Sequence, residues 1–223
     1  MKELMKICSM ISLWVWPFLI IGVDLTIHDH TIVMEAIIIN YSEIKELVPE
    51  SPTAADVLEA ALKVPTIDEY VESRIEIVLE FLPEYEKKEA QLPSDIKAVV
   101  DEIENRLKEC DSISTMIQTL QNMIDFHEYD EYRGFPQALK FGIQLLQDGR
   151  NTIYNSDWSP YEELPIPTGI PWWVYLAGCA VIAGIIGGLE FDGIDWDWNE
   201  AIAGAIGGTA MCAWGILSWS LTY

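Results

Sequence analysis

The sequence predicts a mainly α-helical protein in three parts: an N-terminal hydrophobic anchor, an acidic middle domain built as a helical bundle or coiled coil, and a C-terminal glycine-rich transmembrane helical hairpin. Three observations predict it. Half of the 223 residues are hydrophobic although the formal net charge is -23, because charged and greasy residues are segregated along the chain. The acidic middle is punctuated by proline, serine and threonine where helices start and stop. Near the C-terminus two octets, residues 181–188 (VIAGIIGG) and 201–208 (AIAGAIGG), echo one another inside long uncharged segments.

Charge already excludes some functions. So negative a chain repels phosphate backbones, and no Lys/Arg cluster interrupts the field, so nucleic-acid binding is rejected. The cysteines Cys8, Cys110, Cys179 and Cys212 are too scattered for a zinc ribbon or a CxxC redox site. The expected partners are membrane lipid and a protein partner or second copy, engaged through the helical domain or the hairpin.

Residues 1–24 open with Lys2 and Lys6 and then run uncharged to Asp24, the pattern of a signal anchor or signal peptide. The bulky stretch Ile20-Ile21-Gly22-Val23 offers no small-x-small cleavage pattern, which favours a retained anchor. The two lysines place the N-terminus in the cytoplasm and the following domain outside. Cys8 lacks a convincing lipoprotein cleavage site before it.

Residues 25–150 form the acidic domain. Its first stretch, up to Asn40, permits either a strand or a helix; on a strand His28 and His30 would share one face, as two metal ligands do. Ser51-Pro52 reads as a helix N-cap with proline at the first position, and Pro65 as that helix's end. Thr66 and Glu69 make a capping-box pattern for the next helix, which the periodicity carries to Pro83. The longest predicted helix runs from Ile96 to about Asp125, with an apolar stripe at near-heptad spacing that suits a bundle spine or an oligomerising coiled coil. His127, Glu128, Asp130 and Glu131 then gather at a helix end, where a metal site competes with plain solvation. A short helix over residues 137–147, capped by Gly149, closes the domain.

Residues 151–171 are a proline-rich linker that delivers the chain to Trp172-Trp173. The hairpin follows in residues 172–223. Its two uncharged runs would make helices of about 27 and 31 Å, against a hydrocarbon core of about 30 Å. Trp172, Trp173, Trp196, Trp198 and Trp219 sit near the ends, as interfacial anchors do. Ala180, Gly184 and Gly188 form one small-xxx-small ridge, Gly204 and Gly208 another, and two such ridges let helix backbones approach closely. Cys179 and Cys212 fall at similar depth in an antiparallel hairpin, so a disulfide between them is possible. The loop residues Asp192, Asp195, Asp197, Asn199 and Glu200 superficially suggest calcium, but Glu200 stands where an EF-hand needs glycine. A soluble protein with a buried apolar hairpin is the competing reading.

No phosphate loop, HExxH or GxSxG motif is present, so no enzyme and no cofactor is expected. Asn40-Tyr41-Ser42 is a glycosylation sequon if exported. The expected function is a multi-pass cell-membrane protein with an extracytoplasmic acidic domain, acting as a structural, accessory or protein-interaction component. From a cytoplasmic N-terminus, counting spans puts the hairpin loop inside and the C-terminus outside. The alternative is a secreted precursor of a membrane-active, bacteriocin-like peptide contained in the hairpin.

Overall fold

The computed structural model describes residues 24–129, 134–155, 171–190 and 196–220, the side chains of Trp219 and Ser220 excepted. Residues 1–23, where the anchor is expected, and most of the proline-rich linker lie outside the described residues. What is described is mainly helical, with an isolated antiparallel bridge, Leu189 to Trp196, as its β pairing.

Local caps decide where the helices begin. The region that permitted a strand is α1, Ile27–Ile39, because Thr26 and Asp29 cap each other reciprocally. A short α2, Tyr41–Lys45, follows it. In α3, Ala54–Ala61, the cap is Thr53 paired with Asp56 rather than Ser51, since only Thr53 has a carboxylate three residues on to complete the box. Likewise α4, Glu69–Gln91, starts from Asp68, whose carboxylate accepts from the Tyr70 and Val71 amides at 2.9 and 3.1 Å. It does not stop at Pro83 but runs through it. Pro83 is exposed, and its neighbours Val78, Leu82, Tyr85 and Lys88 are buried, so packing outweighs the lost backbone bond, a cost of about 3 kcal/mol.

The predicted long helix from Ile96 to Asp125 is two helices, α5 (Ser94–Lys108) and α6 (Ile113–Asp125). Ser112 caps the second one with Thr115 in another reciprocal box, and a cap at that position ends continuity. The near-heptad stripe is thereby divided between two helices. At the end of α6, His127 takes φ 55°. The Glu128 amide reaches back to the Met123 carbonyl and the His127 amide to that of Ile124, both at 3.1 Å, which is a Schellman cap. Then α7 spans Phe135–Gly149, α8 Trp172–Gly188 and α9 Trp198–Ser220.

The two apolar helices sit at the centre. They pack on each other more extensively than any other pair, and the amphipathic helices lie around them: α1, α3 and α4 against α9, and α4, α5 and α7 against α8. One contiguous buried cluster runs from Leu25 to Ala213. Few hydrophilic side chains among the described residues are buried, and His30 Nδ1, the Tyr129 hydroxyl and Trp196 Nε1 have no hydrogen-bond partner. Asp29, fully buried, pairs with Arg74 Nε at 3.2 Å and accepts from the Tyr70 hydroxyl at 3.0 Å, as a buried carboxylate requires.

Candidate functional site: the hairpin, its lysine clamp and the adjoining cavity

Residues 198–218 of α9 are long and apolar enough to cross a membrane, and more than half of that stretch is buried; α8 is a shorter apolar helix of 17 residues. The α8–α9 contact is made of glycine. A Cβ at Gly187 would collide with the Glu200 carbonyl and lie 3.3 Å from Gly204 Cα; one at Gly204 would lie 2.6 Å from the Ala183 carbonyl oxygen; one at Gly208 would strike the Ala183 methyl. Real Cβ contacts are not this short, so the two backbones meet only because these positions lack side chains. Gly184 faces the Phe141 ring of α7 and the Ala201 carbonyl, while Gly188 is covered by the Trp196 ring. Ala180 is fully buried. Gly187 belongs to neither ridge read from the sequence, yet it makes the tightest backbone approach. Its four-residue spacing from Ala183, which faces Gly204 and Gly208, was the signal that could have identified it.

The second component is Lys88 of α4, whose side chain is 2 % exposed. Its ammonium donates to the Gly187 carbonyl at 3.0 Å, to Glu190 Oε1 at 3.1 Å and to Glu200 Oε2. Burial works against its charge, but the bonds to Glu200 and Glu190 outweigh it and raise the lysine pKa. Lys88 thus clamps the C-terminal end of α8, where a cation complements the helix dipole, to the first turn of α9. In the sequence it is one lysine among the charges of residues 84–89, which read as a solvated stretch. Other loop-end oxygens are similarly committed. Asp197 accepts from the Glu200 amide at 2.9 Å, and Asn199 Oδ1 accepts from the Leu25 amide at 2.8 Å. Asp192 and Asp195 lie outside the described residues.

Cys179 and Cys212 are joined by a disulfide that staples the distal half of the hairpin. Beside it lies a cavity of about 690 Å³ between the hairpin and α3 to α6. Gly178, Gly208 and the disulfide form its floor, Leu107, Met116, Ile182 and Met211 line it, and Glu86, Glu89, Glu104 and Lys108 also border it. Tyr85 stands at its edge, where burial, with Glu89 alongside, pushes the phenol pKa up. Cys110, the free cysteine among the described residues, opens onto the same cavity.

The histidines separate. His28 is exposed on α1, 3.4 Å from Asp148. His30 is fully buried, with Nε2 at 3.3 Å from Thr209 Oγ1 and 3.4 Å from the Tyr154 hydroxyl. Thr209 donates its own proton to the Ala205 carbonyl, so its oxygen accepts from a neutral His30 ring. Burial pushes that ring down to about 3, against a smaller opposing pull from Asp148. His127 serves the helix cap described above, and Glu131 lies outside the described residues. Among the described residues no group of three or more His, Cys, Asp or Glu side chains is gathered to hold a metal ion. Asn40 of the sequon donates to the Ala36 carbonyl at 2.8 Å and accepts from Thr66 at 2.6 Å.

Of the tryptophans, Trp172 is buried and edge-on to Trp173, with ring centres 6.3 Å apart. Trp196 and Trp198 both pack on Phe141 at 5.6 Å, with Trp198 partly exposed. The Trp219 side chain is not among those described. This arrangement offers close helix contact, a buried ion pair and an apolar cavity. No known protein family, curated protein or solved structure matches the chain.

Proposed function

We propose that the chain is a membrane-associated accessory protein without a catalytic centre, with the glycine hairpin as its membrane element and the acidic helices as its partner-binding surface. The observation that carries this reading is the hairpin itself: a preassembled helix pair, stapled by a disulfide, whose only described charge within the helices is Glu200 in the first turn of α9. One helix has the length and apolarity to span a bilayer. The disulfide suits an oxidising, extracytoplasmic setting. The loop end is bonded to Lys88 and Leu25, so we place the hairpin loop on the same side as the acidic helices rather than across the membrane from them.

A second reading draws support from the covering of the hairpin. With α1, α3, α4, α5 and α7 packed around it, the acidic helices also suit a chaperone for a hairpin that is later released as a membrane-active peptide. Carbonate extraction of membranes from cells expressing the full chain separates the readings. Full-length protein in the pellet supports the accessory role. A soluble fragment starting near residue 169 replaces it with the precursor reading, and full-length protein in the supernatant overturns membrane residence.

A further inference from the structure

We propose that the cavity beside the disulfide is a binding site for a single-chain cationic amphiphile. Its apolar chain lies along the hairpin and its ammonium-type head sits among the carboxylates. The inference rests on α3 to α6 staying packed on the distal half of the hairpin as described, with Glu86 and Glu89 in water.

Three features of the cavity define the ligand. At about 690 Å³ it falls within the range of about 300–1,000 Å³ typical of small-molecule sites. Its depth is apolar: Leu107 and Met116 are buried to within 2 %, and Ile182 and Met211 complete the wall. The floor is the half-exposed side of the hairpin. There Gly178 has only Met116 Cε near its missing side chain, at 3.6 Å, so a chain lying on α8 meets backbone and methionine rather than bulk. Two thioethers give that wall adaptability to chain shape.

The exposed end sets the head group. Lys108 is held by Glu104 at 2.7 Å, so that pair is neutral overall. Glu86 and Glu89 are exposed beside it, and no ammonium or guanidinium pairs with either in the described ion pairs. A carboxylate or phosphate head would add repulsion here, on a chain whose net charge is already -23. A cationic head gains two opposite charges while remaining in contact with water.

Cys110 supplies a native reporter, since its buried thiol borders the same cavity. In the full-length Cys8→Ser chain, alkylation of Cys110 by N-ethylmaleimide is followed by mass spectrometry, with dodecyltrimethylammonium, dodecyl sulfate or dodecyl maltoside below their micelle concentrations. The expected result is protection by dodecyltrimethylammonium at concentrations where the other two give none. Glu86→Gln/Glu89→Gln should raise the half-protecting concentration about fivefold, the size expected for two exposed charge contacts, without changing the alkylation rate in the absence of amphiphile. Gly178→Leu fills the floor. It should abolish dodecyltrimethylammonium binding, read by calorimetry, in a chain whose circular dichroism and melting temperature match the parent. Equal protection by all three heads, protection by none, or binding that survives Gly178→Leu overturns the proposal.

Discussion

The loop-proximal half of the hairpin and its distal half are written in the same small residues and are held together in different ways. Around Gly187 and Gly204 the two backbones touch, and a methyl group on either glycine would collide with a carbonyl. At Gly178 an added methyl meets only a methionine terminus at 3.6 Å, and at Gly215 it meets nothing within 4 Å. The first half is closed by contact and by Lys88, the second by a covalent bond beside a cavity. Small residues spaced along a helix therefore do not define one continuous contact. Each glycine takes its meaning from what faces it, and a helix pair can be tight at one end and stapled open at the other.

The largest expected effect breaks the tight half. Gly187→Leu or Gly204→Leu should prevent a stable fold, and Gly187→Ala alone should cost about 3 kcal/mol or more, at the upper end for overpacking. Thermal unfolding by circular dichroism reads both, and a Gly187→Ala chain as stable as the parent would remove the close-contact account. Next comes the staple. Reducing the disulfide, or Cys179→Ser/Cys212→Ser, opens a loop spanning 33 residues and should cost about 3–4 kcal/mol by chain entropy. The loss should appear first as proteolysis in the distal half.

Lys88→Met tests the clamp. It leaves Glu190 and Glu200 without their cation, and because both retain some exposure the loss should be about 3 kcal/mol, the low end for breaking a buried pair. Exchange of the Leu189, Asp197 and Glu200 amides, which are bonded at the loop end, should rise before the global transition if the clamp is local.

A pH effect comes next. With its folded pKa near 3 against an ordinary value of 6.5, His30 binds a proton in the unfolded chain before it does so in the folded one. Its stabilising effect is complete above about pH 6.5 and declines as pH falls, by up to about 1.4 kcal/mol per unit. Comparing unfolding free energies of the parent and His30→Asn between about pH 7.5 and 5 isolates this from carboxylate titration; parallel pH curves would remove His30 as the cause. The smallest effects lie at the open positions. Gly215→Ala should be neutral or stabilise by about 0.5–1 kcal/mol, since it adds helix propensity without a clash, and Ile186→Leu should cost less than about 1.5 kcal/mol. A large loss at Gly215 would show that the distal half is as tight as the proximal one.

The mainly helical class was legible because apolar periodicity and caps are local signals, and residues near each other in sequence create them. Thr53 with Asp56 and Ser112 with Thr115 were equally local, but Ser51-Pro52 and an unbroken apolar stripe were louder, so the α3 start was misplaced and the break between α5 and α6 missed; the α4 start was likewise misplaced, at Thr66 instead of Asp68. Pro83 misled for a different reason: the packing of Leu82 and Tyr85 against α9, which offsets its penalty, is a tertiary fact. The same limit applies to Lys88. Nothing in residues 84–89 separates the lysine that is buried from Lys87 beside it, which bonds Glu84 on the surface. The cavity, gathered from α3 to α6 and both hairpin helices, was beyond reach because its lining is spread over most of the chain.

The bond from the Leu25 amide to Asn199 links residues 174 positions apart, and it has a consequence for how the protein is made. The helices α1, α3 and α4 bury their apolar faces against α9, which leaves the ribosome more than a hundred residues after them. Until then those faces have no native partner, and long-range closure of this kind is slow and prone to aggregation. A nascent chain arrested before Trp172 should thus remain bound to chaperones or the export machinery, and native structure should appear late and all together once residue 220 has emerged.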